Sequence, residues 1–199
     1  HHAEQLAMLF DAIGEVSKAE QWYGRAAEHA YTGGQLEHAS QLYAACLERM
    51  EQLWNPEKIQ KDDHLRGLQM LARMLSALNP FAPQKTISAA YPFLESDAAT
   101  LAPMHAAQLC WQRARAYRLK SQPHEALENL NQADELLRNA PLSPDLCVGV
   151  QLERAELFEQ KEEIDRARLA LATAENVIKN HPLSGRDLLW RHQNQKGRI

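Results

Sequence analysis

Apolar residues recur at three- and four-residue steps along most of the chain, and breaks in that rhythm mark the ends of elements. The pattern predicts helices from about residue 3 to 13, halted at Gly14, and from about Ser17 to Tyr31, ending at Thr32-Gly33-Gly34. A third runs from about Leu36 to Trp54, where Asn55-Pro56 breaks it. A fourth, roughly Glu57 to Leu78, sets Leu68, Leu71, Leu75 and Leu78 on one stripe before Asn79-Pro80-Phe81-Ala82-Pro83. The short fifth, about Gln84 to Leu94, contains Pro92, which removes a backbone donor and crowds the preceding turn. A sixth covers about Leu101 to Leu119. Ser121-Gln122-Pro123 then turns the chain, with Ser121 read as an N-cap and Pro123 in the first turn of the seventh helix. The eighth starts after Ser143-Pro144 and the ninth after Glu162-Glu163, ending at His181-Pro182. One more helical segment with a basic tail follows Arg186.

A second periodicity overlies the first. With Tyr117 as origin, Ala114 lies three before, Ala126 nine after, Leu130 thirteen after and Ala133 sixteen after. The same register from Phe10 finds Ala7, Ala19, Tyr23 and Ala26, and from Phe158 finds Ala155, Ala167, Leu171 and Ala174. From Ala30 it finds Ala27, Ala39, Tyr43 and Cys46, with Gly34 at the turn position that Gly14 holds after Phe10. Two antiparallel helices approach nearest where both present small side chains, and a bulky residue opposite fills the remaining groove. A hairpin built this way cannot bury both faces alone, so it stacks on the next.

These positions resemble the tetratricopeptide-repeat signature over about residues 3 to 50 and 105 to 180, while 56 to 98 departs from it. The resemblance implies an all-α, right-handed superhelix of antiparallel helix hairpins, about eight to ten helices in all. As a single helical-repeat domain over 1–199, the chain would divide into first helices (3–54), an irregular helix pair (56–98), two regular hairpins (101–182) and a C-terminal helix or tail (183–199). A narrower likeness lies in "HHAEQLAMLFDAIGEVSKAEQWYGRAAEHAYTGGQLEHASQLYAACLE". It is similar to the first helices after the ATPase module of bacterial AAA/STAND signal-transduction ATPases, through His1, His2, Glu4 and Gln5, then Trp22 to Ala30, then Gly34 to Tyr43. That likeness implies a ligand- or partner-sensing arm whose other domains lie outside this stretch.

Composition agrees with helix: Leu, Ala, Glu, Gln and Arg dominate, and glycine numbers 8 in 199 residues. A chain that begins with His1 reads as an excised piece or one bearing a tag. The net charge of −4 disfavours a dedicated binder of nucleic acid or anionic membrane. No apolar run reaches the ~20 residues that span a bilayer, and no leader resembles a signal peptide. Cys46, Cys110 and Cys147 are odd in number and widely separated, which argues against a disulfide framework or a zinc site and favours the reducing cytoplasm.

The nine histidines are poorly spaced for metal: His29 and His38 fall on different helices, and Asp62-Asp63-His64 is a lone trio. The cysteines sit among apolar neighbours as packing residues, no nucleophile lies beside a base, and Gly33-Gly34 stops a helix rather than cradling phosphate. Neither catalytic residues, nor a metal, nor a cofactor is expected. Tyr23 belongs to the core by register, and Trp22 points elsewhere.

In the repeat family the first helix of each hairpin usually lines the concave groove. Gln108, Trp111, Arg115 and Arg118 follow three- and four-residue steps on one face, and Leu152, Glu156 and Glu159 would continue that surface on the next hairpin. An aromatic beside two guanidinium groups suits a peptide with an acidic or carboxylate group. The plainer alternative packs Trp111 against the neighbouring hairpin and pairs Arg115 and Arg118 with Glu125 or Glu128.

The expected function is a non-catalytic protein- or peptide-interaction module, the sensor or scaffold arm of a larger cytoplasmic signalling or transcription regulator. Its partner would be a protein, a peptide or another domain of the same chain, without membrane; self-association remains open. A second reading is a small-molecule effector domain, which a large apolar pocket would favour. The weakest is nucleic-acid binding through Arg113, Arg115, Arg118 and Lys120 with the tail from Arg186 to Arg198.

Overall fold

The computed structural model describes residues 2–53, 72, 74–77, 79, 83–84, 87, 102–138, 140–183 and 186–198. Among them the protein is all-helical, with no strand. Its helices are α1 (His2–Ala12), α2 (Val16–Thr32), α3 (Leu36–Leu53), α4 (Pro103–Leu119), α5 (Pro123–Arg138), α6 (Pro144–Gln160), α7 (Ile164–Asn180) and α8 (Arg186–Lys196). The chain divides into two compact units, His1–Ala90 and Tyr91–Ile199. Most of the irregular pair expected over 56–98, with Pro92 and the Asp62-Asp63-His64 trio, lies outside the described residues, as do Trp54 and Asn55-Pro56.

Four interhelical turns share one backbone geometry. Gly14, Gly34, Ser121 and Glu162, each four residues after a register origin, adopt left-handed φ values of 78°, 75°, 56° and 58°. The following residue returns its N–H to the origin's carbonyl at 2.9 Å in every case: Glu15 to Phe10, Gln35 to Ala30, Gln122 to Tyr117 and Glu163 to Phe158. That bond satisfies a carbonyl left free by the end of the helix. The same Glu or Gln then accepts, through its own carbonyl, the first bond of the next helix, from Ala19, Ala39, Ala126 or Ala167. Ser121 is therefore the left-handed stop of α4 and not the N-cap of α5; Gln122 holds that place, and Pro123 opens the helix where a missing N–H costs nothing.

The small residues of the register form the seams. Ala114, Ala126, Ala133, Ala155, Ala167 and Ala174 are essentially inaccessible, as are Ala7, Ala19, Ala27 and Ala39. Leu130, Leu171, Tyr23 and Tyr43 fill the grooves beside them.

In the first unit α2 packs on both α1 and α3. Arg49 of α3 reaches back to α1, placing Nη2 2.6 Å and Nε 3.1 Å from the two carboxylate oxygens of Asp11, with its guanidinium over the Tyr23 ring. Glu4 of α1 lies 3.3 Å from His38 of α3. Tyr43 donates to Glu28 at 2.8 Å and meets the Tyr31 ring edge-on. The Tyr31 hydroxyl lies 3.4 Å from that of Ser76, in the helical residues 74–77. Trp22 points away from this core, half-buried, with Arg25 over its ring.

In the second unit α4–α5 and α6–α7 are the two hairpins. α6 packs on both helices of the first hairpin, and α8 packs in turn on α6 and α7. Val148, Leu152, Ala155, Ala170, Leu171 and Ala174 form its core, with Leu188 of α8 against it.

Candidate functional site

The face of α4 that carries Gln108, Trp111, Arg115 and Arg118 meets α6, and the two helices share a charged network. Glu153 of α6 is 1 % exposed. Its Oε1 accepts from Nε of Arg118 at 2.5 Å, and its Oε2 accepts from Nη2 of Arg191 in α8 at 2.9 Å. Glu156, one turn on, lies 2.7 Å from Nη2 of Arg118 and 2.9 Å from Nη2 of Arg191. Two arginines from different helices therefore bracket two carboxylates of α6, each cation meeting both anions. Burial by itself would raise the Glu153 carboxyl. The guanidinium groups of Arg118 and Arg191, the hydrogen bond from Arg118 and the nearby charge of Arg115 outweigh it and hold the group below its ordinary range. Arg191 is correspondingly held as a cation by Glu153 and Glu156 against its own burial.

α8 continues the network along α6. Nε2 of Gln195 donates to the carbonyl of Leu152 at 3.3 Å, and Nη2 of Arg198 lies 2.9 Å from Glu159. Arg191, Gln195 and Arg198 follow four- and three-residue steps, so one stripe of the C-terminal segment meets Glu153, Glu156, Leu152 and Glu159.

The residues expected to form an open groove are thus placed unevenly. Gln108 and Arg115 are half-buried on α4. Trp111 is also half-buried and packs on α6, where Gly149 leaves room for its ring. Arg118 pairs with Glu153 and Glu156, not with Glu125 or Glu128. Glu156 and Glu159 retain about a fifth of their surface and are engaged by Arg191 of α8 and by Arg198 just past its end. Leu152 is fully buried and corrects the expectation that it lines the surface. The cause lies in α6, which is enclosed by α4, α5, α7 and α8 and is apolar on several sides, so spacing alone does not separate an outer face. Glu153 and Arg191 were not singled out from the sequence. For Glu153 the unread signal was a carboxylate sharing a helix with Val148, Val150 and Leu152, one residue from the expected surface position.

A cleft of about 410 Å³ opens between α5, α6 and α7, with Leu127, Asn131, Phe158 and Leu169 in its lining. Its arginines are engaged: Arg154 lies 2.6 Å from Asp134 and 3.1 Å from Asn131, and Arg166 lies over the Phe158 ring and 2.5 Å from Glu163. Among the described residues no group of three His, Cys, Asp or Glu side chains converges as a metal site. Burial pushes the Cys110 thiol up to about 12 and raises that of Cys147, which keeps both protonated and poorly nucleophilic. No described helix is long and apolar enough to cross a membrane. No protein-family model matches the chain, and no curated protein matches it significantly.

Proposed function

We propose that the chain is a tetratricopeptide-like interaction module, the sensor or scaffold arm of a larger cytoplasmic signalling or transcription regulator, and that it binds a protein or peptide along the first helices of its hairpins. The carrying observation is the turn repeated four times with alanine seams on either side. That construction stacks hairpins side by side and lines up α4 and α6. The half-buried, polar Gln108 and Arg115 give this surface hydrogen-bonding and charge chemistry suited to recognition. The likeness of residues 1 to 48 to the arm of AAA/STAND ATPases supports the placement in a larger regulator.

A photo-crosslinking residue in place of Gln108 or Arg115 tests the proposal, with Arg168 on the exposed side of α7 as the control position. Discrete polypeptide adducts from the first two positions and not from the third are expected. Equal yields from all three would remove the assignment of the binding face.

A further inference from the structure

The seat of α8 is unusual in what holds it. Only Leu188 of this helix joins the apolar core, whereas Leu189 and Trp190 are 37 % and 65 % exposed. Its buried side chains are polar, His192 and Gln195, and within the described residues His192 Nε2 and Gln195 Oε1 have no hydrogen-bond partner. What fits well is charge: Arg191 on Glu153 and Glu156, Lys196 on Glu175 of α7, and, two residues past the end of the helix, Arg198 on Glu159, with the Gln195 amide on a carbonyl of α6 between them. A helix held chiefly by charge, with buried polar atoms unsatisfied, can be displaced by one that repeats the charges and fills the seat better.

We infer that the acidic stripe of α6, Glu153, Glu156 and Glu159, is a recognition surface for a basic helix with one arginine facing Glu153 and Glu156 and a second just past its last turn facing Glu159, and that α8 with Arg198 is its resident occupant. The partner is a basic helical segment of another polypeptide, with an apolar residue in place of His192. Arg118 stays with the site when α8 leaves, keeping Glu153 paired, so the stripe retains a charged partner while it is open. The outer pair closes the site weakly, because Arg198 is 66 % exposed and its attraction to Glu159 is screened by salt. The inference rests on the interaction-module reading and adds the chemistry of the partner.

A fluorescent peptide of residues 186–199 serves as probe, titrated by anisotropy into the full chain at low ionic strength. The natural chain is expected to take it up poorly, since its own helix competes. A chain with Arg191→Ala and Arg198→Ala, its helix loosened and its acidic stripe intact, is expected to bind roughly ten-fold tighter. Adding Glu156→Gln and Glu159→Gln should cancel that gain. No gain on loosening the resident helix, or equal binding of a peptide with the same composition in shuffled order, overturns the inference. If the doubly substituted chain does not fold, hydrogen exchange of the natural chain decides. Faster exchange at residues 188–196 in about 0.5 M salt, with 148–158 unchanged, upholds a detachable α8, and exchange of both in step overturns it. Crosslinks at Arg115 are independent of these outcomes, so failure here leaves the broader function to its own test.

Discussion

The indole of Trp111 fills the space that a side chain at Gly149 would need: a methyl group built there would come within 2.7 Å of Cζ2 and 2.8 Å of Cη2. This contact sets how closely α4 approaches α6. Alanine is the better helix former by about 1 kcal/mol, but the ring is wedged between helices. Gly149→Ala is therefore expected to destabilise the second unit by about 1–3 kcal/mol, the range for overpacking. Adding Trp111→Leu should recover most of the loss. Urea denaturation of the two single variants and the double checks the coupling.

The four left-handed turn residues predict effects of opposite sign at equivalent places. Gly14 and Gly34 have open space around a built side chain, so only backbone strain opposes substitution. Gly34→Ala should cost about 1 kcal/mol. Ser121 and Glu162 already bear that strain, and Ser121→Gly or Glu162→Gly should raise stability by several tenths of a kcal/mol to about 1 kcal/mol. Thermal melts of the three variants measure it, and a destabilised Ser121→Gly would show that its side chain does more than tolerate the turn.

Glu153 and Lys18 separate buried from exposed charge. Glu153→Gln keeps the size of the side chain but removes an anion that faces two arginines at 1 % exposure, and a loss of about 3 kcal/mol is expected. Lys18→Ala removes a pair whose members are 55 % and 51 % exposed, and its melting midpoint should not move measurably. Equal effects would mean that the α4–α6–α8 network contributes no more than a surface contact.

Acid should loosen α8 through His192. Burial holds its imidazole below the ordinary value of 6.5, with Glu175 acting in the opposite direction and Lys196 reinforcing the burial. The unfolded chain therefore takes the proton first. The contribution to stability is complete above about 6.5 and disappears as pH falls through the folded value. Protection of the amides at 188–196, corrected for the intrinsic exchange rate, should fall between pH 7.5 and 5, and His192→Gln should flatten that dependence. Asp11 behaves likewise in stronger acid, because its hydrogen bond from Arg49 keeps it below its usual 3.8.

The helices and seams were legible because their causes are local. Gly14 and Gly34 announce the turns, Pro123 and Pro144 open helices, and the residues nine and sixteen after each origin, seven alanines and Cys46, are buried where the register puts them. Ser121 misled because serine commonly caps a helix start, while the parallel with Gly34 sits in the alignment of the four turns. The charged network was not legible for a different reason. Arg191 lies 38 residues from Glu153, and no periodicity along one helix says which distant cation will face a buried carboxylate. Leu152 failed similarly, since a helix enclosed on several sides has no single inward face for spacing to reveal.

The shared geometry at Ser121 and Glu162 also makes the chain a spliceable object. Tyr117 and Phe158 stand 41 residues apart at matching points, so cutting before Ser121 and before Glu162 and rejoining the outer ends would remove one whole period. The new junction would carry the same carbonyl-to-amide closure as the old ones, joining α4 directly to α7. A protein with such interchangeable joints can change its length in whole periods while each remaining joint keeps the same turn geometry.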